Sequence, residues 1–158
     1  MFQTSKNTKD TAKIARAFLA KILKSDRNRK ALVVGLSGDL GTGKTTFTQA
    51  AAKYLGIKRK VNSPTFVIIK KYPVPEQVRY GAGPIKNKFK YLFHLDTYRL
   101  KNEKELLHLG WEEIIANPEH LVFIEWPEHV AKIIPPKSHF VHISHTKKGY
   151  RNFKIKNA

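Results

Sequence analysis

One short segment of the chain constrains its fold more than any other feature. The segment Gly38–Thr45 reads Gly-Asp-Leu-Gly-Thr-Gly-Lys-Thr, and an apolar run over 31–36 precedes it with one residue between. Glycines spaced in this way permit backbone conformations that are closed to other residues, so successive N–H groups can turn toward one point. The residues that follow, 46–55, have helical character and end at Gly56. The sequence therefore predicts a strand, a glycine-rich loop and a helix in immediate succession.

This loop predicts a binding site for the phosphates of a nucleotide. Lys44 is placed to reach the outer phosphates, and Thr45 supplies a hydroxyl for the Mg²⁺ that accompanies a nucleoside triphosphate. The helix that begins near Gly43 points the positive end of its dipole at the same anion. A glycine-rich turn that binds nothing is the alternative, and both flanking elements argue against it. The expected nucleotide contacts are Gly38, Asp39, Leu40, Gly41, Thr42, Gly43, Lys44, Thr45 and Thr46.

Length and composition favour a single α/β domain. A chain of 158 residues can bury a full α/β core, and we expect 1–158 to form one domain. The absence of cysteine excludes disulfides and Cys-ligated zinc or iron–sulfur sites, and it suits a reducing cytoplasm. The N-terminus lacks the apolar core of a signal peptide, and no stretch approaches the ~20 apolar residues of a membrane span. We therefore expect a cytoplasmic protein with no membrane partner.

Charge is unevenly distributed along the chain. The formal net charge is +18, yet eight of the twelve acidic residues lie within 96–128, where the net charge is −5. The rest of the chain carries +23. Such an excess predicts an anionic partner, most plausibly a nucleic acid, near the basic regions. A lysine-rich but merely solvated surface is the alternative, and composition does not separate the two.

Hydrophobic periodicity predicts further helices. Apolar residues recur at three- and four-residue spacing over 8–23, which is typical of an amphipathic helix. A polar loop over 25–30 would connect this helix to the first strand. Two shorter helices are expected at 103–109 and 111–115, separated at Gly110.

Strand composition marks several other segments. The run 121–124 is short and apolar, as in a buried central strand. Between two strands that we expect to be antiparallel, residues 73–88 hold three prolines and two glycines, which predicts an exposed loop. The other predicted strands are 65–72, 89–95, 139–144 and 151–155, the last two joined by a turn at 147–149.

Two acids follow apolar strands and are candidates for chemistry. Hydrolysis needs metal support and an aligned water in addition to a phosphate loop. Asp96 ends the run 91–95, and Glu125 ends the run 121–124. Because strand ends on this side of an open α/β sheet face the ligand crevice, both can approach the phosphates. Either is alternatively a surface acid or a salt-bridge partner.

Three other side chains have both a functional and a structural interpretation. Thr65, in the sequence Ser-Pro-Thr, offers a hydroxyl of the kind that senses a terminal phosphate in nucleotide switches, or it belongs to an ordinary proline turn. Trp126 can stack on a base or a partner, or pack beside a core strand. His94 lies in an alternating strand, where a structural role is favoured over catalysis.

Several motifs in sequence order resemble one family, TsaE, the small bacterial ATPases of tRNA threonylcarbamoyladenosine biosynthesis. The resemblance covers nearly the whole chain, from about Thr8 to Arg151. The phosphate loop occurs in many families, whereas the other motifs in this order are far more particular. The matching segments are 38–47, Ser-Pro-Thr-Phe at 63–66, His-Leu-Asp-Thr-Tyr-Arg-Leu at 94–100, Glu105 with Leu109-Gly110, and Ile-Glu-Trp at 124–126.

The resemblance implies a phosphate-loop NTPase fold, three-layered around a mixed central sheet, that binds ATP and Mg²⁺. It implies weak hydrolysis by the isolated protein, and work within the bacterial complex that transfers a threonylcarbamoyl group to the adenosine beside the tRNA anticodon. By the same resemblance Lys44 contacts phosphate, Thr45 and Glu125 hold Mg²⁺, and Asp96 belongs with Lys44 and Glu125 to the catalytic set. Thr65 would be switch-like, and Trp126 would lie near the nucleotide or a partner.

The chain departs from the family pattern in three places. Thr42 replaces a common alanine, which a backbone role should tolerate. The connection between Tyr72 and Phe89 is longer than usual. The metal acid is Glu125 where most phosphate-loop enzymes use aspartate, so it could bind metal directly, act through water, or orient the attacking water.

Two other classes of function share parts of this pattern. A small-molecule or nucleoside kinase has the same loop and size, but it needs an acceptor pocket and commonly an arginine-bearing lid. The basic loop over 73–90 holds a single arginine, Arg79. A nucleic-acid-binding module that uses nucleotide as a switch would explain the net charge, and direct contact with tRNA is compatible with the ATPase as well.

Overall fold

The computed structural model describes residues 1–25, 29–80 and 83–156. Its elements, in chain order, are β1 (Phe2–Ser5), α1 (Thr8–Ser25), β2 (Leu32–Ser37), α2 (Lys44–Tyr54), β3 (Ile69–Pro73), β4 (Gln77–Tyr80), β5 (Gly83–Lys86), β6 (Tyr91–Asp96), α3 (Glu103–His108), α4 (Trp111–Ala116), β7 (His120–Glu125), a 3-10 helix (Pro127–Ile133), β8 (His139–His145) and β9 (Arg151–Lys156).

Seven of the strands form one mixed sheet in the order β1-β9-β8-β2-β7-β6-β3. The four strands β8, β2, β7 and β6 are parallel, and antiparallel strands complete both sides. The predicted mixed sheet is confirmed. Because β2, β7 and β6 are parallel neighbours, the phosphate loop, Glu125 and Asp96 all lie at one edge of the sheet, where ligands bind in open α/β folds.

Helices cover both faces of this sheet and give three layers. On one face, α1 and α2 pack their apolar sides, including Phe18 and Phe47, against strand residues such as Phe123. On the other face, α3, α4 and the 3-10 helix pack against the sheet, with Trp111 fully buried. Alternate residues of β2 and β7 enter the two cores, which is why both strands read as continuous apolar runs.

The predicted strand over 65–72 is wrong in its first half. The N–H groups of Val67 and Ile68 both donate to the carbonyl of Pro64, at 2.9 and 2.6 Å, so the chain turns there. The strand β3 begins at Ile69 and pairs antiparallel with β6, as predicted for this pair. Proline lacks an N–H and its ring fixes φ, so Pro64 favours the turn over the strand composition that follows it.

The predicted loop over 73–88 contains a β-hairpin. Strands β4 and β5 pair antiparallel with Gln77 opposite Lys86. We expected this region to be exposed, but Val74 is buried. Val78 packs against the end of α2, because a Cβ added at Gly56 would lie 2.8 Å from its Cγ2. Residues 81–82 of this predicted loop, and 26–28 of the loop predicted at 25–30, lie outside the described residues.

Besides this hairpin, sequence patterns missed two further elements. The short strand β1 pairs with β9 at the edge of the sheet, and the 3-10 helix follows Trp126 directly. Four residues of strand at one edge leave too short a pattern to recognise. The other predicted helices and strands are present with boundaries shifted by one or two residues. Of the helices that the structure describes, none is long and apolar enough to cross a membrane.

Candidate nucleotide site

The phosphate loop closes tightly against the sheet. Its glycines Gly38, Gly41 and Gly43 have φ values of +131°, +76° and +103°, a region that side chains rarely adopt. A Cβ at Gly38 would lie 2.0 Å from the carbonyl oxygen of Ile143, so no other residue fits there. The loop therefore has the positive-φ backbone conformation that its glycines permit, and it lies against β8.

Thr42 contributes more than backbone to this loop. Its side chain is buried, and its hydroxyl donates to the carbonyl of Asp39 at 2.8 Å. The backbone N–H of Thr42 also donates to the same carbonyl, at 3.3 Å. An alanine would form only the second of these bonds, so the departure from the family pattern adds a side-chain link within the loop.

Lys44 is folded into the loop. Its Nζ donates to the carbonyls of Gly38 and Asp39 at 2.6 and 3.0 Å, and it lies 3.8 Å from the ring centroid of Trp126. Burial lowers the pKa of Lys44 below its ordinary value, and the nearby Glu125 carboxylate acts in the opposite direction. An anion beside Nζ would compensate its desolvation, as expected of a phosphate-binding lysine.

Glu125 joins the phosphate loop to the centre of the sheet. Its Oε1 accepts a hydrogen bond from the hydroxyl of Thr45 at 2.8 Å and lies 2.8 Å from Nε2 of His94. Both Glu125 and His94 are buried. The structure therefore brings together the two predicted metal ligands, Thr45 and Glu125, and adds His94 to them.

His94 has one polar partner and one nitrogen without any. Among the described atoms, its Nδ1 is buried and makes no hydrogen bond. A buried N–H without an acceptor is costly, so the favoured tautomer carries its proton on Nε2 and donates it to Glu125. The ring thus contacts the candidate metal acid, and the structural role favoured for His94 stays a prediction. The contact between His94 and Glu125 follows from strand pairing. His94 is opposite Phe123 on the neighbouring strand, and Glu125 lies two residues after Phe123, on the same face of the sheet.

Asp96 is the centre of a second hydrogen-bonded group. Its Oδ2 accepts from the hydroxyl of Thr65 at 2.5 Å, and its Oδ1 accepts from the N–H of Tyr98 at 2.9 Å. The Thr65 hydroxyl also lies 2.7 Å from that of Ser63. Asp96 and Glu125 are paired residues of β6 and β7, so this group lies beside the Glu125 group at the same sheet edge.

Two strained residues border these groups. Among the described residues, the non-glycine positions with positive φ are Ile68, at 64°, and Trp126, at 60°. A β-branched residue in this region is a conformational outlier. Ile68 ends the turn that carries Thr65, and Trp126 follows Glu125 directly. Strain of this kind concentrates at functional sites, where surrounding contacts hold it in place.

Trp126 packs against Tyr98 and also contacts Lys44 of the phosphate loop. Its ring lies 5.0 Å from that of Tyr98 and over Lys44. The Thr97 hydroxyl donates to the Trp126 carbonyl at 2.6 Å, and the Trp126 N–H donates to the Leu36 carbonyl at 3.0 Å. These contacts hold the tryptophan beside the phosphate loop, within reach of a ligand bound there.

Two cavities flank the loop and include residues that sequence reasoning missed. One, of about 480 Å³, lies on the β8 side. The other, of about 190 Å³, lies between the loop and the start of α1. Their lining comes from distant parts of the chain, so no local pattern could have assembled it. The unpredicted polar lining residues are Ser37, Glu128 and His142 in the first cavity and Ser5, Asn7, Thr8, Thr11 and Arg151 in the second.

Most of the residues predicted in the phosphate loop line one of these two cavities, and Leu40 does not. Gly41, Thr42, Gly43 and Thr46 line the smaller cavity, and Gly38, Asp39 and Trp126 line the larger one. The Leu40 side chain is 81% exposed, so only its backbone belongs to the loop. The arrangement combines a glycine-rich loop, a buried cation and two hydrogen-bonded carboxylates.

Comparison with known proteins identifies a family. A family model described as "Threonylcarbamoyl adenosine biosynthesis protein TsaE" matches residues 5–153. The chain belongs to the TsaE family. TsaE proteins with similar sequences come from Bacillus subtilis, 41% identical over 65% of this chain, and from Haemophilus influenzae, 33% identical over 80%. A Rickettsia bellii protein is 33% identical over 84% of the chain.

These relatives are matched over different shares of their own length. The match spans 55% of the Bacillus subtilis TsaE protein, 71% of the Haemophilus protein and 79% of the Rickettsia protein. The crystal structure of YdiB from Bacillus subtilis superposes with a TM-score of 0.69 at 27% identity, covering 99% of this chain and 84% of that one. The fold shared with YdiB thus extends over nearly all of this chain.

Proposed function

We propose that this chain is an ATPase that supports threonylcarbamoyl transfer to the adenosine beside the anticodon of tRNA, within a multiprotein complex in the cytoplasm. The relatives are named as tRNA threonylcarbamoyladenosine biosynthesis proteins, which supports the process. The observation that carries the ATPase assignment is the connected group Thr45, Glu125 and His94 beside a formed phosphate loop. Membership of the family favours this function over a nucleoside kinase.

The residues present fit ATP and Mg²⁺. The loop supplies N–H groups, and Lys44 a desolvated cation, both suited to a triphosphate. Mg²⁺ bound with phosphates takes few protein ligands, commonly one hydroxyl and one or two carboxylates. Thr45 and Glu125 would hold it, and the ion would neutralise charge that develops on the phosphate oxygens.

The remaining roles, which are binding phosphate, orienting Glu125 and orienting water, belong to other residues of the chain. Lys44 binds the outer phosphates by exchanging its bonds to the loop carbonyls for bonds to phosphate oxygens. His94 holds the Glu125 carboxylate in one orientation toward Thr45. Asp96, fixed by Thr65 and the Tyr98 N–H, is the candidate for orienting the attacking water.

The turn that carries Thr65 offers a route by which a partner protein alters hydrolysis. Phe66 and Val67 are 84% and 57% exposed, directly after the threonine that binds Asp96. Exposed apolar side chains grouped in this way favour contact with a protein. A partner that covers them would fix the position of Thr65, which explains an expected low activity in isolation.

The test has two parts. Reconstituted transfer to tRNA should turn over repeatedly only when this protein and ATP are both present. Substituting Glu125→Gln should lower partner-stimulated ATP hydrolysis by about 100-fold, whereas Glu112→Gln, an exposed acid on α4, should leave it unchanged. Repeated transfer that is unaffected by omission of the protein would reject the function. Parent-like hydrolysis by Glu125→Gln would reject the assignment of Glu125.

A further inference from the structure

A further concave surface lies at the far end of α2 from the phosphate loop. We call it the basic groove; its volume is about 1200 Å³. It is formed where residues 73–78, which include the start of β4, meet the C-terminal end of α2 and the segment that follows. Its lining residues with cationic side chains are Lys53, Lys58, Arg59 and Lys60.

The cations of the basic groove are exposed to solvent. Within the described residues none of the four forms an ion pair. The sequence between Asp39 and Glu76 contains no acidic residue, and Glu76 itself lies between the lining residues Pro75 and Gln77, so one acid is set against four cations in these segments. Mutual repulsion among cations so close in the chain is relieved by a bound anion.

The backbone beneath these cations is fixed. The N–H of Ile57 donates to the carbonyl of Ala52 at 3.0 Å, and the amide of Gln49 donates to the carbonyl of Val61 at 2.8 Å. Ile57 and Val61 are buried in the core, so the three cations between them are held on an anchored segment. Gly56, at φ +82°, lets the chain turn into this segment. The groove is therefore formed before any ligand binds, which lowers the entropic cost of binding.

We propose that the basic groove binds the phosphate backbone of an RNA stem, and specifically of tRNA. Lysine and arginine side chains that project from a fixed surface are the usual contacts to nucleic-acid phosphates. No aromatic side chain lines the groove in the part of the chain that the structure describes, which favours contact with backbone over stacking on bases. An acidic protein segment is disfavoured because aromatic anchors, typical of protein interfaces, are missing from the same lining. The choice of tRNA rests on the proposed function.

The groove is separate from the nucleotide site but connected to it through the chain. Lys60 lies three residues before Ser63, whose hydroxyl contacts Thr65. The segment that follows α2 thus supplies cations to the groove at its start and a hydroxyl to the Asp96 group at its end. RNA bound in the groove would contact the same segment that supplies the Ser63 hydroxyl to the Asp96 group.

The test is binding of an unmodified tRNA transcript to the full chain, measured by fluorescence anisotropy at several salt concentrations. The variant Lys58→Gln/Arg59→Gln/Lys60→Gln should bind at least about tenfold more weakly near 0.1 M salt, with a salt slope reduced by about 2.7, or about 0.9 for each of three phosphate contacts. The matched control is Lys147→Gln/Lys148→Gln/Lys154→Gln, which removes the same charge from exposed positions at and after the β8–β9 turn. It should lose less than twofold.

Each other outcome has a defined meaning. Equal losses in the two triple variants would mean attraction by net charge alone and would overturn the proposal, as would the absence of tRNA binding at low salt. Displacement of tRNA by an equal concentration of a polyglutamate peptide would assign the groove to an acidic protein. ATP hydrolysis without RNA should match the parent in both variants. Failure of RNA binding is therefore distinguishable from failure of the ATPase assignment.

Discussion

The two ends of helix α2 present lysines in opposite environments. Lys44, at the first turn, is 4% exposed and bonded to loop carbonyls. Lys53, in the last turn, lies roughly 14 Å away along the axis and is exposed at the rim of the basic groove. The buried cation is desolvated and has one fixed geometry, whereas the exposed one is hydrated and screened. One end therefore suits strong, local recognition of a small anion, and the other suits weak, additive contact with a large one.

The largest expected effect tests this contrast directly. Lys44→Ala should weaken binding of a fluorescent ATP analogue by about 100-fold or more, because charge-assisted bonds to phosphate contribute about 1.5–3 kcal/mol each. The matched substitution Lys53→Ala, in the same helix, should change that affinity by less than about twofold, in line with exposed charges. If the two substitutions weakened nucleotide binding equally, the division between the two ends of α2 would be wrong.

An intermediate effect is expected where one buried side chain orients another. His94→Phe removes the donor to Glu125 and should lower kcat for ATP hydrolysis about tenfold, the cost of roughly one hydrogen bond to a charged group. Nucleotide affinity should change little, because His94 contacts the carboxylate and not the loop. The conservative variant His94→Gln retains an amide donor and should recover part of kcat. A loss of nucleotide affinity equal to the loss of kcat would indicate a general structural defect.

The smallest effect is expected for one cation of the basic groove. Lys58→Gln should reduce tRNA affinity about two- to threefold and lower the salt slope by about 0.9, the value for one phosphate contact. ATP hydrolysis by the isolated chain should remain at the parent level. A loss as large as that of the triple variant would show that one residue dominates, contrary to additive contact with a backbone.

The elements around the phosphate loop were predictable because their signals are local. The apolar run of β2, the glycines at fixed spacing and the start of α2 are contiguous in sequence, and each has its physical cause within a few residues. The candidate acids Asp96 and Glu125 were also found, since each ends an apolar strand. The turn over 64–68 was mistaken for a strand because strand composition is outweighed there by the backbone restriction at Pro64.

Other parts of the site had no local signal. Bonding of His94 to Glu125 depends on the parallel register of β6 and β7, and that register is set by packing on both faces of the sheet. The basic groove depends on the hairpin that packs Val78 against Gly56, within a segment whose prolines and glycines indicate a loop. The sequence showed the cations of 58–60 but not the concave surface that collects them.

The sequence by itself determined that a phosphate loop joins a buried strand to a helix, since three glycines, a lysine and a threonine at fixed spacing specify that geometry locally. It also supplied the motif series of the family. Only the tertiary structure decided which acid meets Thr45, which side chain contacts that acid, and where the exposed cations gather. Those outcomes depend on strand order, register and the packing of distant segments, and each is set by contacts between residues that lie far apart in the chain.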